Sequence, residues 1–249
     1  MYPHALELMK KRLDHLLIEK KLAPSRSQAQ TLIMTGQVLV NDQPVTKSGT
    51  LIQADAQIKI KNKMPYVSRG GLKLKGAIDH FKLDFKNKVV LDVGASTGGF
   101  TDCLLQEGAK HVYCIDVGTN QLHEKLQAHP QVTWKEKFHV KELSPKTFDQ
   151  CFSWIVMDVS FISIMKVFPK LMPCLTPKAH MLILFKPQFE VPRQHLTKGV
   201  VKDSDIAQHY LDEAIKNIQT TYQTQNILTY PSPLKGPKGN QEYFLWIGT

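Results

Sequence analysis

The 249-residue sequence has no long apolar run: none reaches the ~18 residues that a membrane span calls for. Its opening, Met1 to Arg12, holds no apolar core, so no export signal is expected. Cysteine is scarce. Cys103, Cys114, Cys151 and Cys174 lie far apart and form no C-x-x-C pair. That argues against zinc and for a reduced, cytoplasmic chain with buried thiols. There is no internal repeat and no low-complexity tract, and the dinucleotide spacing G-x-G-x-x-G is absent.

What is present is basic charge, unevenly placed. The formal net charge is +10. Residues 1–75 carry 13 Lys/Arg against 5 Asp/Glu, and residues 76–249 carry 19 against 17. A near-neutral body with a basic front end suggests a polyanion-binding module attached to something else. A solvated basic surface is the plain alternative. The length suits one large domain, or a medium domain plus a small one.

The front end has readable elements. Leu6 to Lys21 has helical spacing, with Leu6, Met9, Leu13, Leu16 and Leu17 on one face. Ala23-Pro24 breaks it. Ser25 or Ser27 caps a second helix to about Thr35, with Ala29, Leu32 and Ile33 inward and Gly36 as its stop. Val38–Val40 is a strand, Asn41-Asp42 a turn, Val45 the next strand start, and Ile58–Ile60 alternates in the same way. Arg12-Leu13-Asp14, Ser25 to Ala29, Leu32 to Asn41 and Val45 resemble the S4 RNA-binding domain over roughly residues 10–60. The resemblance implies a small α+β domain of residues 1–60 that docks on structured RNA. Lys11, Arg12, Arg26 and Lys47 are expected on its RNA face; taken singly, each is an exposed cation. Phosphate contact would make such docking salt-dependent.

Lys61-Asn62-Lys63-Met64-Pro65 is polar and ends in proline, so residues 61–67 are expected to be a linker and 68–249 a second domain. That domain is organised around Val89 to Thr101. Apolar, β-branched residues of strand character deliver Asp92 into a small glycine-rich turn, followed by a helix from Phe100 to Gln106. This is how an α/β sheet holds a nucleoside-bearing cofactor. D-V-G-A-S-T-G-G-F is similar to the first motif of S-adenosylmethionine-dependent methyltransferases. On that resemblance Asp92, Gly94, Ala95, Ser96, Thr97, Gly98, Gly99, Phe100 and Thr101 form the cofactor cradle. Asp116, 22 residues past Gly94 at the end of strand His111–Ile115, takes the ribose hydroxyls. Glu136 is a weak candidate for the adenine side.

Further strands are expected at Val132–Trp134, Phe152–Met157, Met181–Phe185, Asn226–Tyr230 and Tyr243–Ile247. Helices are expected from about Leu74 to Phe81, with Leu74, Ala77, Ile78 and Phe81 inward, and from Asp203 to Tyr222, with Ile206, Tyr210, Ala214 and Ile218 inward. A broken helix with Pro169 and Pro173 lies between Phe161 and Leu175. Strands alternating with helices argue an α/β, Rossmann-like fold: a mostly parallel sheet with an antiparallel edge.

Four ionisable residues sit at element ends: Lys73, Asp158, Lys186 and Glu242. Together they match the Lys-Asp-Lys-Glu tetrad of FtsJ-like 2′-O-ribose methyltransferases. Ser68 to Leu74, Met157 to Ser163, Phe185 to Glu190, Gly199 to Asp203 and Gly239 to Leu245 resemble the TlyA family, in order and over nearly the whole chain. That family joins an S4 domain to an FtsJ-like methyltransferase and carries an older hemolysin label. The resemblance implies S-adenosylmethionine-dependent methylation of cytidine ribose in ribosomal RNA, with no metal. Lys186 is then the central base or hydroxyl-steering group and Asp158 orients it. Lys73 and Glu242 complete the network, and Arg69 joins the RNA-binding residues. Two lysines and two carboxylates in one site would titrate together. The short ending after Ile247 resembles the shorter branch of the family and favours the large ribosomal subunit, acted on by a monomer. The rivals are a non-catalytic RNA-binding assembly factor, a membrane-active hemolysin, and a small-molecule or protein methyltransferase. The intact tetrad and glycine loop speak against the first, the missing spanning segment against the second, and the basic front module against the third.

Overall fold

The computed structural model describes residues 10–60, 64–224 and 226–248. The chain divides into two compact units between Pro65 and Tyr66.

The first unit runs β1 (Lys10–Arg12), α1 (Leu13–Glu19), α2 (Arg26–Met34), β2 (Val38–Val40), β3 (Gln43–Pro44), β4 (Leu51–Gln53) and β5 (Ile58–Ile60). The first helix is shorter than its periodicity suggests. Lys10–Arg12 pairs antiparallel with Leu51–Gln53, and the N–H groups of Leu13 and Asp14 still go to Thr50 and Ser48. The backbone is therefore committed to a strand partner until the helix begins. Leu6 and Met9 lie outside the described residues. Ser25 is the cap of α2, accepting from the N–H of Gln28. Asn41 and Asp42 both have positive φ (49° and 63°), the geometry of a two-residue hairpin turn. Such a turn puts Gln43 opposite Val40, so β3 starts two residues before Val45. Leu13, Leu17, Ala29, Ile33, Val38 and Val40 form the small core.

The second unit contains α3 (Arg69–Phe81), β6 (Val89–Val93), α4 (Gly99–Gln106), β7 (His111–Ile115), α5 (Glu124–Gln127), β8 (Val132–Lys135), β9 (Phe152–Met157), α6 (Ile164–Leu171), β10 (Leu175–Phe185), β11 (Leu196–Thr197), β12 (Val200–Val201), α7 (Ser204–Tyr222), β13 (Ile227–Pro231) and β14 (Tyr243–Gly248). Seven strands make one sheet in the order β13-β14-β10-β9-β6-β7-β8. β10, β9, β6, β7 and β8 run parallel, and β14 runs antiparallel to both of its neighbours. Alternate side chains feed two cores. Leu91, Met157, Ile183 and Phe185 pack with α6 and α7; Val90, Val156, Leu182 and Leu184 pack with α3 and α4.

Tyr66 and Val67 lie in this unit. Tyr66 is buried, and the Val67 N–H donates to Asp102 Oδ2 at 2.9 Å. Helix α3 starts at Arg69, not after Leu74, because Ser68 caps it by accepting from the N–H of Gly70. Gly70 and Gly71 lower helix propensity and so hide this start. Gly71 is there because a Cβ would overlap the Tyr66 ring. Helix α7 is turned slightly from its expected face: Ala207, Leu211, Ala214 and Ile218 are buried, while Ile206 and Tyr210 sit at the margin.

The topology gathers the site. β6, β7, β9 and β10 all end at one rim, releasing Gly94, Asp116, Asp158 and Lys186 there. Because β14 is antiparallel, its first residue, Tyr243, pairs with Phe185, the last of β10. Glu242 therefore arrives beside the same rim.

Candidate active site

Two clefts adjoin at that rim, of about 780 Å³ and about 400 Å³, and share Gly94, Ser96, Asp158 and Ser160 in their walls. Gly94 has φ +84°, and a Cβ on it would fall 2.6 Å from the carbonyl oxygen of Asp158. The β6 turn thus needs glycine both for its backbone angle and for its contact with the end of β9. Ser96 follows at φ +48°, and its N–H donates to Asp116 Oδ2 at 2.8 Å. Asp116 Oδ1 accepts from the N–H of Gly118 at 2.7 Å. One carboxylate therefore ties the turn after β6 to the turn after β7.

The sequence-selected cradle residues separate into three groups. Gly94, Ser96 and Asp116 line the larger cleft. Ala95, Thr97, Gly99 and Phe100, with Gly94 and Ser96 again, line the smaller one. Asp92, Gly98 and Thr101 line neither. Asp92 is fully buried, and its Oδ2 accepts from Thr101 Oγ1 at 2.6 Å. These two support the loop from below, since strand alternation turns the Asp92 side chain inward. Gly98 faces Leu122 and Leu126. Burial above all pushes the Asp92 carboxyl up to about 7, with Asp158 and Asp116 adding to the shift and the Thr101 hydroxyl opposing it. A carboxyl with a raised folded-state pKa stabilises fully below its unfolded value near ~3.9, and that contribution is lost as pH rises through about 7. Asp92→Asn should therefore flatten the fall in wild-type stability across this window, a slope of about 1.4 kcal/mol per pH unit. Urea titrations at pH 5, 6, 7 and 8 check it, and parallel curves for the two proteins would contradict it.

Glu136, the weak candidate for the adenine side, holds a loop in place. Its oxygens accept from the N–H groups of Asn120 (2.6 Å), Gln121 (2.8 Å) and Leu122 (3.2 Å), pinning that loop. Partial desolvation would raise its pKa, but the three N–H groups outweigh it and hold the carboxyl below the usual range.

The four tetrad residues form two ion pairs. Lys73 Nζ meets Glu242 Oε2 at 2.6 Å, both buried. Lys186 Nζ meets Asp158 Oδ1 at 2.5 Å, an ion pair rather than an aligned hydrogen bond, and donates to Ser160 Oγ at 2.9 Å. Lys73, Asp158 and Lys186 reach the wall of the smaller cleft; Glu242 stands behind Lys73. Sequence reasoning missed Ser160 and Gln188, whose Nε2 donates to Glu242 Oε1 at 3.1 Å. Ser160 is two residues past Asp158 and Gln188 two past Lys186, but neither residue type is selective enough to single out. It also missed Phe161, which is 91% exposed with φ +64°, its ring 5.0 Å from that of Phe189 at the larger cleft.

In the first unit the expected RNA-facing cations are mostly engaged. Lys11 pairs with Glu19 at 2.8 Å. Arg12 donates twice to Asp14, at 3.0 and 2.9 Å, and Arg26 Nε reaches the same carboxylate at 3.3 Å. Asp14 is fully buried and also accepts from Gln30 Nε2. Lys47 is exposed. Arg69 belongs to the second unit, where its Nη2 donates to the carbonyl of Lys235 at 3.0 Å on the wall of the smaller cleft. The Arg12 hydrogen bonds, with Gln30 and Arg26, hold the Asp14 carboxyl far below the usual range against the effect of burial. A depressed folded-state pKa stabilises above the unfolded value and is lost as pH falls through the folded one. Asp14→Ala should cost about 2 kcal/mol near neutral pH and little once the wild-type carboxyl protonates in strong acid. Thermal melts at pH 7 and in acid check this, and an equal loss at both would refute it.

The family model for FtsJ-like methyltransferases matches residues 66–249, and that for the S4 domain matches residues 11–58. Over 96% of the chain and 90% of its own length, the 16S/23S rRNA (cytidine-2′-O)-methyltransferase TlyA of Mycobacterium tuberculosis is 37% identical. The chain belongs to the TlyA family of FtsJ-like methyltransferases. Hemolysin A of Brachyspira hyodysenteriae, another TlyA-like relative, is 42% identical over 93% of the chain and 97% of its own length. A solved structure named as a hemolysin, from Streptococcus thermophilus, is 36% identical with a TM-score of 0.73, covering 97% of this chain and 89% of that one. Among the described residues of this TlyA-family chain, no helix is long and apolar enough to cross a membrane. The methyltransferase fold implies S-adenosylmethionine as cofactor.

Proposed function

We propose that this chain methylates the 2′-hydroxyl of cytidine in ribosomal RNA, with the large-subunit RNA as the acceptor. The observation that carries the proposal is the meeting of a buried ion pair, Lys73–Glu242, and a half-buried one, Lys186–Asp158, at a cleft that shares a wall with the glycine loop. The larger cleft suits the cofactor: its wall holds the Gly94 turn, which leaves no room for a Cβ, and the Asp116 carboxylate at a strand end. S-adenosylmethionine, when bound, supplies an electrophilic methyl group on a sulfonium.

The chain's own residues supply the rest. The acceptor ribose would enter the smaller cleft, where Lys186 steers the 2′-hydroxyl and, once its ammonium has released a proton to solvent, takes the hydroxyl proton as the methyl group leaves the sulfonium. Asp158 and Ser160 hold the Lys186 Nζ in place. Glu242 fixes Lys73 against the ribose on the other side. Such alignment can itself provide much of the rate. The S4 unit would dock on the RNA through Arg12, Arg26 and Lys47; a relative from Campylobacter jejuni, 30% identical, is named a 23S rRNA (cytidine-2′-O)-methyltransferase, which supports the large-subunit acceptor.

The test is transfer of labelled methyl groups to purified large and small subunits and to their naked RNA, mapped by nuclease resistance. Label on a cytidine 2′-oxygen of the large subunit is expected; no transfer to any RNA, with cofactor bound, would overturn the proposal. Phe161 offers its exposed ring at the mouth as a stacking face for a base. Phe161→Ala should raise KM for RNA roughly tenfold or more, since stacking contributes about 1–3 kcal/mol per base. Phe161 also lines the larger cleft, so cofactor affinity is measured beside it by calorimetry; a loss as large as the rise in KM would assign the ring to the cofactor instead.

A further inference from the structure

The segment Lys186-Pro187-Gln188-Phe189-Glu190 leaves the end of β10 and makes one 3₁₀ turn. The turn sends consecutive side chains to different partners. Lys186 goes to Asp158 and Ser160. Gln188, two residues on, goes to Glu242. Glu190 Oε1 accepts from the N–H of Ile164 at 2.8 Å, fixing the start of α6 just past the loop that carries Asp158 and Ser160.

Gln188 touches the tetrad yet has no role in the reaction described above. A carboxylate only accepts, so the amide nitrogen of Gln188 must face Glu242; a flipped amide would set two oxygens against each other. With Lys73 on Oε2 and Gln188 on Oε1, both oxygens of Glu242 are held. The Gln188 Oε1 atom, in turn, is buried with no donor among the described residues. A leucine or methionine would fill the space without that orphaned acceptor. What glutamine adds is its N–H toward Glu242. Lys186 and Gln188 also stand on one turn, so this amide joins the two ion pairs through three backbone-linked residues rather than across a cleft.

We infer that Gln188 is a positioning residue of the methyl-transfer site: it fixes Glu242, and through it the Lys73 ammonium, in register with the Lys186–Asp158 pair. The inference rests on the ribose-methylation reading, so its test includes an arm that needs no RNA. Gln188→Met keeps the length and packing but has no donor, and Gln188→Leu is the second variant should methionine fold poorly. In the first arm, Lys73 is labelled with an amine-reactive reagent and read by mass spectrometry, with exposed Lys110 as reference. Loss of a hydrogen bond to a charged group should raise Lys73 labelling roughly tenfold in a variant whose melting is that of wild type. In the second arm, kcat on the accepted RNA should fall roughly tenfold or more, with KM for S-adenosylmethionine within about twofold.

Unchanged Lys73 labelling overturns the inference, whatever happens to the rate. So does raised labelling with kcat unchanged, or a fall in kcat that only tracks lost folded protein. If wild type methylates no RNA, the ribose-methylation reading fails. Raised Lys73 labelling then upholds the Gln188–Glu242–Lys73 linkage, and unchanged labelling removes it.

Discussion

Lys186→Ala is expected to lower methyl transfer by roughly 10²- to 10⁴-fold, the range a positioned proton acceptor contributes. The Nζ of Lys186 is the only cationic atom that the structure holds against Asp158 among the described residues, and it is fixed from two sides, by Asp158 and Ser160. Alanine removes the acceptor and leaves the carboxylate facing an empty place on the cleft wall. Lys186 lines the smaller cleft and not the larger one. Cofactor binding by calorimetry should therefore remain, which separates a chemical defect from a lost cofactor. Lys186→Met, which keeps the stem, should be just as inactive. Activity within tenfold of wild type in either variant would remove Lys186 from the proton-transfer step.

Gly94→Ala is expected to cost cofactor affinity on the order of 10²-fold. Two penalties coincide. The left-handed backbone angle costs an alanine about 1–2 kcal/mol. Its Cβ would also stand 2.6 Å from the Asp158 carbonyl oxygen, which is main chain at the end of a buried strand and cannot swing aside. Relief would require moving the turn, and with it the Ser96–Asp116 bond that shapes the larger cleft. Gly239→Ala is the control: φ is +92° there, but nothing lies within 4 Å of the added carbon. It should lose about 1 kcal/mol of stability and no cofactor affinity. Calorimetric titration and melting of both variants decide the matter; equal affinities would mean that the turn adapts.

The chemistry at strand ends was legible in the sequence because strand ends are legible. A run such as Phe152–Met157 states its own length, and the polar residue that stops it, Asp158, is thereby placed at the rim. The same logic placed Asp116 and Lys186. Which lysine meets which carboxylate was legible only through the family resemblance, which set Asp158 beside Lys186; from the residues alone Lys73 and Lys186 are chemically alike, and their pairing depends on how α3 and β14 pack. The underside of the glycine loop was hidden for a related reason: Asp92 and Gly94 are two residues apart, yet one points into the core and the other opens on a cleft. In the first unit, β1 is three residues long and pairs with residues 40 positions away, so no local periodicity announces it. The capture of Arg12 and Arg26 by one buried aspartate is a tertiary event that no spacing reports.

The place of β14 has a consequence for biosynthesis. It is the last strand in chain order, yet it lies inside the sheet, between β10 and β13. While the chain is still being made, the outer edge of β10, with Met181 to Phe185 all destined for burial, has no covering strand. Residues 243–248 must clear the ribosomal tunnel before that edge can close. Glu242 arrives with them, so the charge network at the rim stays incomplete until that stretch has emerged. A strand edge left open in this way is where a stalled or prematurely terminated product would aggregate or recruit a chaperone.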